Sequence, residues 1–428
     1  MKFKLKSLLT AWSSKLKKTG FFHIFVSTVV NKILGFLSNF LIVRLISKAD
    51  YGVYSSATNI LSFFLLFTGL GTLSSVLQLS SEHSTEAEKH NNIFRYGSGI
   101  GIVFNIILGF VILIFAQVVE FPIAGVNKLL FFLAFIPVLE IINEFQKIYF
   151  RSKLDNQSYA KANTINTLFI VLFSVVGSYF YAVYGLIIGR YLAVIGTIII
   201  TYFWLNAPIY IRKTKLIFES TKVFFQISFV SMLNNGLSQL LYLLDVFIVG
   251  LVMTDPLVVA EYKIAIIVPE ALLFIPTAIC IYVYPYFSNK KDDKKWLIKN
   301  NKLLLFALGI FNLVVTMGLL VFTKPILLIF GEKYLVAKSI FQISAIGYFF
   351  TATFRIVSGN LLVTQRQLKF NFFISLLSGI LNIIGNYILI SKLGAIGAAW
   401  TTLIVNAFSG MILTYYFALI IHKKEGGI

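Results

Sequence analysis

The feature that most constrains this chain is a succession of apolar runs, each long enough to cross a bilayer. They cover 21–43, 52–79, 96–119, 128–149, 159–182, 185–205, 223–252, 259–285, 302–323, 337–361, 371–391 and 396–421. About 20 apolar residues suffice for one helical crossing. Hydrocarbon offers backbone N–H and C=O groups no water, so each run must satisfy them internally, as a helix. The fold class expected is therefore an all-α membrane protein with about 12 transmembrane helices.

The connections between the runs are short, and their charge is uneven. Of the 37 Lys and Arg, 25 fall in the two tails and the even-numbered loops with their margins and 8 in the odd-numbered ones with theirs. That asymmetry puts both termini in the cytoplasm. A net charge of +20 would suggest nucleic acid on a soluble protein. Here it reads as topology, and no nucleic-acid partner is expected. The basic tail carries Leu5, Leu8, Leu9, Trp12 and Leu16 at helical spacing, the pattern of an amphipathic helix on an anionic leaflet. No small-residue cleavage site follows it, so a removable signal peptide is not expected. Cys280 is the one cysteine, which excludes an internal disulfide. His83, Glu86 and His90 could share a helix face, but a solvated loop is the simpler reading than a metal site. No metal and no cofactor is expected. Neither a phosphate-binding GxxxxGK[ST] loop nor a HExxH or GxSxG motif occurs, and no aqueous segment is long enough for a soluble-type active site. An enzyme is not expected.

Away from the margins of the runs, four basic residues lie inside them: Lys32, Lys147, Arg190 and Arg355. A charge at the membrane centre costs at least about 2.5–3.5 kcal/mol, so it marks a pathway or a partner. Thr28, Asn31, Lys32, Gly35, Ser38 and Asn39 recur at three and four and form one polar stripe. The seventh run repeats it with Ser228, Ser231, Asn235, Ser238, Tyr242 and Asp245, flanked by Asn234 and Gln239. Two such stripes suit a cleft between two lobes; polar contacts that merely hold helices together are the alternative. Glu140, Glu144 and Lys147 share a face, as a local ion network would. Pro269, Pro276 and Pro285 predict a kinked eighth span beside Glu270.

Two features repeat at similar offsets. Asn31-Lys32 aligns with Asn234-Asn235, and Tyr184-Gly185-Leu186-Ile187 with Leu393-Gly394-Ala395-Ile396. This divides the chain into a cytoplasmic tail (1–20), an N-lobe (21–205), a cytoplasmic linker (206–222), a C-lobe (223–421) and a short tail (422–428), with a parallel repeat.

Four stretches carry a family resemblance. RLISKADYGVYSSATNI (44–60), IFGEKYLVAKSIFQI (329–343), GNLLVTQRQLKFN (359–371) and LNIIGNYILISKLGAIGAAWTT (381–402) are similar, in order and spacing, to segments of Wzx-type polysaccharide and O-antigen flippases. These belong to the multidrug/oligosaccharidyl-lipid/polysaccharide exporter superfamily. The resemblance implies two pseudo-symmetric six-helix lobes around a central cavity. It implies alternating access that moves an undecaprenyl-diphosphate-linked oligosaccharide across the bacterial cytoplasmic (inner) membrane. It also implies lipid and pathway glycosyltransferases or polymerase as partners. By position and charge, Lys32, Arg190 and Arg355 are the candidates for the diphosphate. Asn31, Asn39, Asn234, Asn235, Ser238 and Gln239 are those for sugar hydroxyls. Glu140, Asp245 and Glu270 are those for a coupling proton or sodium ion. Three rival readings remain: a cation-coupled multidrug antiporter, a peptidoglycan-precursor flippase (which would carry extra C-terminal helices) and a scaffold for glycan synthesis.

Overall fold

The computed structural model describes residues 21–210 and 214–423, apart from the side chains of residues 21–26, 234, 235, 237, 238, 241, 242 and 285. The expected tail helix, and the side chains of Asn234, Asn235, Ser238 and Tyr242, lie outside that set. The described residues form helices and no strands. In chain order these are α1 (Phe21–Leu45), α2 (Lys48–Leu65), α3 (Thr72–Glu82), α4 (Ala87–Val118), α5 (Val126–Leu133), α6 (Ile136–Ser152), α7 (Asn156–Phe203) and α8 (Thr221–Met253). They continue as α9 (Pro256–Leu272), α10 (Phe274–Asn289), α11 (Lys294–Val321), α12 (Thr323–Phe330), α13 (Lys338–Phe350), α14 (Ile356–Thr364), α15 (Leu368–Leu393) and α16 (Ala395–Lys423).

Ten helical stretches among the described residues are long and apolar enough to span a membrane. One of them, α7, contains a reversal: Tyr181 and Ala182 leave helical geometry, and Ala182 has φ 47° and ψ −129°. Around it the chain folds back tightly enough that a Cβ on Gly185 would meet the Gly177 carbonyl, and one on Gly189 the Phe173 carbonyl. Dividing α7 there, and adding the 33-residue α8, brings the spans to about twelve. Their outward faces carry large apolar side chains such as Ile107, Ile114, Val314 and Val321. In water those would form a prohibitive exposed patch; in a bilayer they are solvated. The protein is a multi-pass membrane protein.

Local chemistry sets the helix ends. Ser47 caps α2 by accepting from the Asp50 amide. Asp155 and Asp255 cap α7 and α9 the same way, with Pro256 supplying the fixed φ of a first helical turn. Gly52 follows the Ser47 cap because α2 passes so close to the start of α9 that a Cβ would meet the Pro256 carbonyl. The eighth span breaks as its prolines predict. Pro269 and Pro276 lack the N–H that would bond the Ala265 and Leu272 carbonyls, and the helix ends and restarts at Leu273. The tenth span contains one π-turn, Thr351–Arg355, joining α13 to α14.

The contacts divide the chain into two compact units. One comprises Met1–Asp50, Ile60–Glu120 and Gly125–Gly236; the other comprises Tyr51–Asn59, Phe121–Ala124 and Leu237–Ile428. The division falls inside α8, downstream of the 206–222 connection. The first unit packs Phe94, Phe145, Ile141 and Phe224 at its core. The second packs Leu297, Leu361, Leu362 and Phe417.

The closing hairpins of the two units share a backbone plan. Gly394, at φ 64° and ψ −153°, turns α15 into α16 much as Ala182 reverses α7. Gly397 then crosses the Leu389 carbonyl as Gly185 crosses Gly177. The structural register thus pairs Ala182 with Gly394 and Gly185 with Gly397. The sequence match of Gly185 with Gly394 is three residues out, because it aligned two glycines doing different jobs.

Candidate functional site

Asp245 lies in the second half of α8, 7% exposed, at the edge of a cavity of about 80 Å³ inside the second unit. Its carboxylate is surrounded by neutral donors. Asn382 and Asn386 donate to Oδ1 from one face of α15, at 2.9 and 2.7 Å. Tyr262 of α9 donates to Oδ2 at 3.3 Å, and the Thr402 hydroxyl of α16 donates to the same oxygen. Three elements therefore converge on the one carboxylate that α8 carries. The Oδ1 of Asn386 is fully buried and accepts no hydrogen bond. A buried acceptor without a donor is costly, and beside a carboxylate it presents oxygen to anything positive.

Glu270 and Arg355 line the same cavity, with Ser378, Asn382 and Asn406. Glu270 is half-buried, just ahead of the break at Leu273, and has no hydrogen bond or ion pair among the described residues. Arg355 ends the π-turn and donates to Asn406 Oδ1 of α16. The π-turn is braced from behind: Asn312 of α11 donates to Thr353 Oγ1 at 3.1 Å and accepts from the Tyr348 hydroxyl at 2.9 Å. Single π-turns inside helices recur at functional sites because they turn one side chain out of the helical register. With two carboxyls and one guanidinium, the lining carries one formal negative charge in excess. A proton or one small monovalent cation balances it, as an apolar interior requires. The volume admits a few waters or a partly hydrated ion, and falls well below the roughly 300–1,000 Å³ of a small-molecule pocket.

The first unit treats its charges differently. Arg190 of α7 donates to Glu140 Oε1 of α6 at 2.6 Å. Lys147, with its side chain 8% exposed, is paired with Glu144 one turn away on α6. The expected Glu140–Glu144–Lys147 network is thus two separate pairs, because Arg190 on the facing helix reaches Glu140 first. Asn105 of α4 is buried here. It accepts from the Gly69 amide and donates to the Pro137 carbonyl, both at 2.7 Å.

The polar stripe of α1 splits in two. Asn31 donates to Ser27 at 3.2 Å, and Ser27 bonds the Ala160 carbonyl and Thr164, so this edge faces α7. Ser38 is buried as well. Thr28, Lys32 and Asn39 are exposed on the other edge, with Gly35 open beside them. Lys32 makes no hydrogen bond or ion pair among the described residues, and Asn39 donates to the Gly35 carbonyl at 3.1 Å. Gln239 is exposed. His83 and Glu86 meet at 2.9 Å, but His90 turns to Ser152 at 2.8 Å. Those three do not converge, and no metal-binding cluster of His, Cys, Asp or Glu occurs among the described residues.

Sequence reasoning selected Asp245, Glu270 and Arg355, which one cavity unites, and missed Asn382, Asn386 and Thr402. Their signal was present in LNIIGNY and AAWTT: two asparagines one helical turn apart in an apolar run are as anomalous as a charge. Asn105 and Asn312, 207 residues apart and both buried in their spans, were missed likewise.

Comparison with known proteins bears on the whole chain. A sequence model of the family described as polysaccharide biosynthesis protein matches residues 41–339. A putative O-antigen transporter of Shigella flexneri is 26% identical over 338 residues, covering 74% of this chain and 77% of that one. The lipid II flippase MurJ, in an inward closed conformation, superposes with a TM-score of 0.70 at 18% identity, over 94% of this chain and 90% of that one. An outward-facing multidrug resistance MATE family transporter of the MOP superfamily gives 0.64 at 13% identity, over 96% and 97%. At such identities the two structures speak for the fold, which is that of the MOP-superfamily transporters. The family match covers well over half the chain, and the chain belongs to the polysaccharide biosynthesis protein family.

Proposed function

We propose that this protein is a flippase that moves an undecaprenyl-diphosphate-linked oligosaccharide, an O-antigen or capsule repeat unit, from the inner to the outer leaflet of the bacterial cytoplasmic membrane. The observation that carries the reading is family membership of a chain built almost wholly of spanning helices. A sugar chain cannot enter hydrocarbon without losing its hydrogen bonds to water. A protein that moves one must offer polar groups along a path while the lipid tail stays in the bilayer. Alternating access supplies that path without opening a continuous pore.

Lys32 is the first residue assigned to the diphosphate. It is exposed, has no internal partner among the described residues, and shares its edge of α1 with Thr28 and Asn39. An ammonium donating to phosphate oxygen makes a charge-assisted hydrogen bond. Arg190 and Arg355 are secondary candidates, since Glu140 and Asn406 already occupy them. Asn39 and Gln239 stand for sugar contacts, while Asn31 faces a neighbouring helix. The cavity of Asp245 and Glu270 is the proposed coupling site for a proton or sodium ion. Both termini are assigned to the cytoplasm on the charge asymmetry of the loops, and glycosyltransferases or a polymerase of the pathway to the list of partners.

Vesicles reconstituted with the full chain and a labelled lipid-linked glycan test the reading. Wild type should deliver label to the far leaflet. Lys32→Ala should lower the flux about ten- to hundredfold, the worth of a hydrogen bond to a charged group, and Lys32→Glu further, with insertion and melting unchanged. Absence of label from the far leaflet with wild-type protein sinks the flippase reading. Undiminished flux in the charge-reversed variant removes Lys32 from it. A second reading, a cation-coupled multidrug antiporter, is favoured by the acidic cavity. Proton uptake driven by cationic drugs, without glycan transfer, would establish it instead.

A further inference from the structure

The described parts of the 206–222 connection, which delivers the chain to α8, are held against the rest of the first unit. Asn92 near the start of α4 grips it twice, donating to the Lys215 carbonyl and accepting from the Ile217 amide, both at 3.0 Å. Arg95 lies 4.7 Å over the Tyr210 ring, and Lys89 lies 6.0 Å from the Phe218 ring. The last grip is ionic. His83, just past α3, directs Nδ1 to Glu86 at 2.9 Å and Nε2 to Glu219 at 3.2 Å. Glu219 stands two residues before α8, the helix that carries Asp245.

We propose that His83 is a pH-sensitive clasp: its imidazolium ties the end of the 206–222 connection to the α3–α4 turn and releases it when the ring loses its proton. The geometry requires the charged ring. Both nitrogens face carboxylate oxygens, and only the doubly protonated imidazole can donate from both. A neutral ring keeps one donor and turns a lone pair on the other carboxylate. The groups facing His83 are Glu86 and Lys89 at the start of α4 and Glu219 from the connection; Glu82 precedes it on α3 and accepts from Gln78. Lys89 pairs with Glu86 at 2.6 Å and opposes the charge on the ring, but the two carboxylates outweigh it. Hydrogen bonds to Glu86 first, and then Glu219, hold the imidazole above its ordinary value.

The sign follows from that direction. A group whose folded value is raised contributes its restraint in full below the unfolded value, ordinarily about 6.5. The restraint disappears as pH rises through the raised one. The clasp is closed in mildly acidic surroundings and open in alkaline ones. Because α8 begins at Thr221, the pH on this face of the membrane sets how tightly the base of the Asp245 helix is held. The inference does not depend on what the protein transports.

Hydrogen–deuterium exchange on the purified full chain tests it. Exchange of the amides of 214–222 would be followed at about pH 6 and about pH 8.5, corrected for intrinsic chemistry. Wild type should lose about two- to fivefold of its protection at the higher pH, the scale of a partly exposed ionic contact. His83→Gln and Glu219→Gln should each show the unprotected level at both pH values, while amides in the core of α4 stay unchanged. Protection of 214–222 that does not vary with pH in wild type overturns the clasp. So does a pH dependence that survives in both variants.

Discussion

The two units carry their charges in opposite ways. In the first, Arg190 and Lys147 each have a carboxylate of their own, Glu140 and Glu144. In the second, Asp245 is held by two amides and two hydroxyls, and Glu270 makes no hydrogen bond or ion pair among the described residues. Paired charges cancel, and the site is complete as it stands. Neutral donors do not cancel a carboxylate's charge, so a proton or a cation has to balance it. Two units with hairpins of one plan thus differ in how their carboxylates are partnered, and the proposed coupling site lies in the second.

The largest test of that contrast is Asp245→Ala. It strands the donors of Asn382, Asn386, Tyr262 and Thr402, each buried group left unpaired costing about 1–3 kcal/mol. A loss on the order of 4 kcal/mol in detergent denaturation is expected, with loss of any sodium- or proton-dependence of flux. Asp245→Asn keeps the shape and should fold better while still losing the ion dependence. An ion dependence that survives in Asp245→Asn would move coupling elsewhere.

Next comes the ion pair of the first unit. Arg190→Gln and Glu140→Gln each leave one charge without its partner. The figure of about 3–5 kcal/mol for a fully buried pair falls to about 2 here, because both side chains are roughly a quarter exposed. Replacing both together should recover most of the loss, since no lone charge remains. A double variant as unstable as the sum of the singles would show that the two residues act separately, which a double-mutant cycle reads directly.

The smallest effect sharpens the shared hairpin. Ala182 holds the positive φ that Gly394 holds in the second unit, and only glycine adopts it without strain. Ala182→Gly should stabilise the protein by about 1 kcal/mol, strain relief outweighing the added freedom of the unfolded chain. Thermal denaturation would show it as a small rise in midpoint. No change would mean that the reversal is imposed by the packing of Gly177 against Gly185.

Much of the fold could be read along the chain because its causes lie along the chain. Twelve apolar runs, the serine and aspartate caps and the prolines of the eighth span act within a few residues of themselves. The candidate site was half legible. Asp245, Glu270 and Arg355 stood out because a charge in an apolar run is anomalous wherever it sits. The α1 stripe was read too broadly: spacing alone put Asn31 and Lys32 on one face, though neighbours on a helix are turned about 100° apart. The structure directs one to α7 and leaves the other exposed. The repeat was found, but its register near Gly394 was set by residue identity rather than backbone shape.

From sequence alone follow the spans, the family and the presence of costly charges in the membrane. Tertiary structure alone decided which charges are cancelled. Asn382, Asn386 and Thr402 reach Asp245 from 137, 141 and 157 residues away, and Arg190 reaches Glu140 across 50. Hydropathy and backbone satisfaction sum over neighbours in the chain. Whether a carboxylate meets a guanidinium or an amide depends on the rotation and depth of helices that only packing brings together.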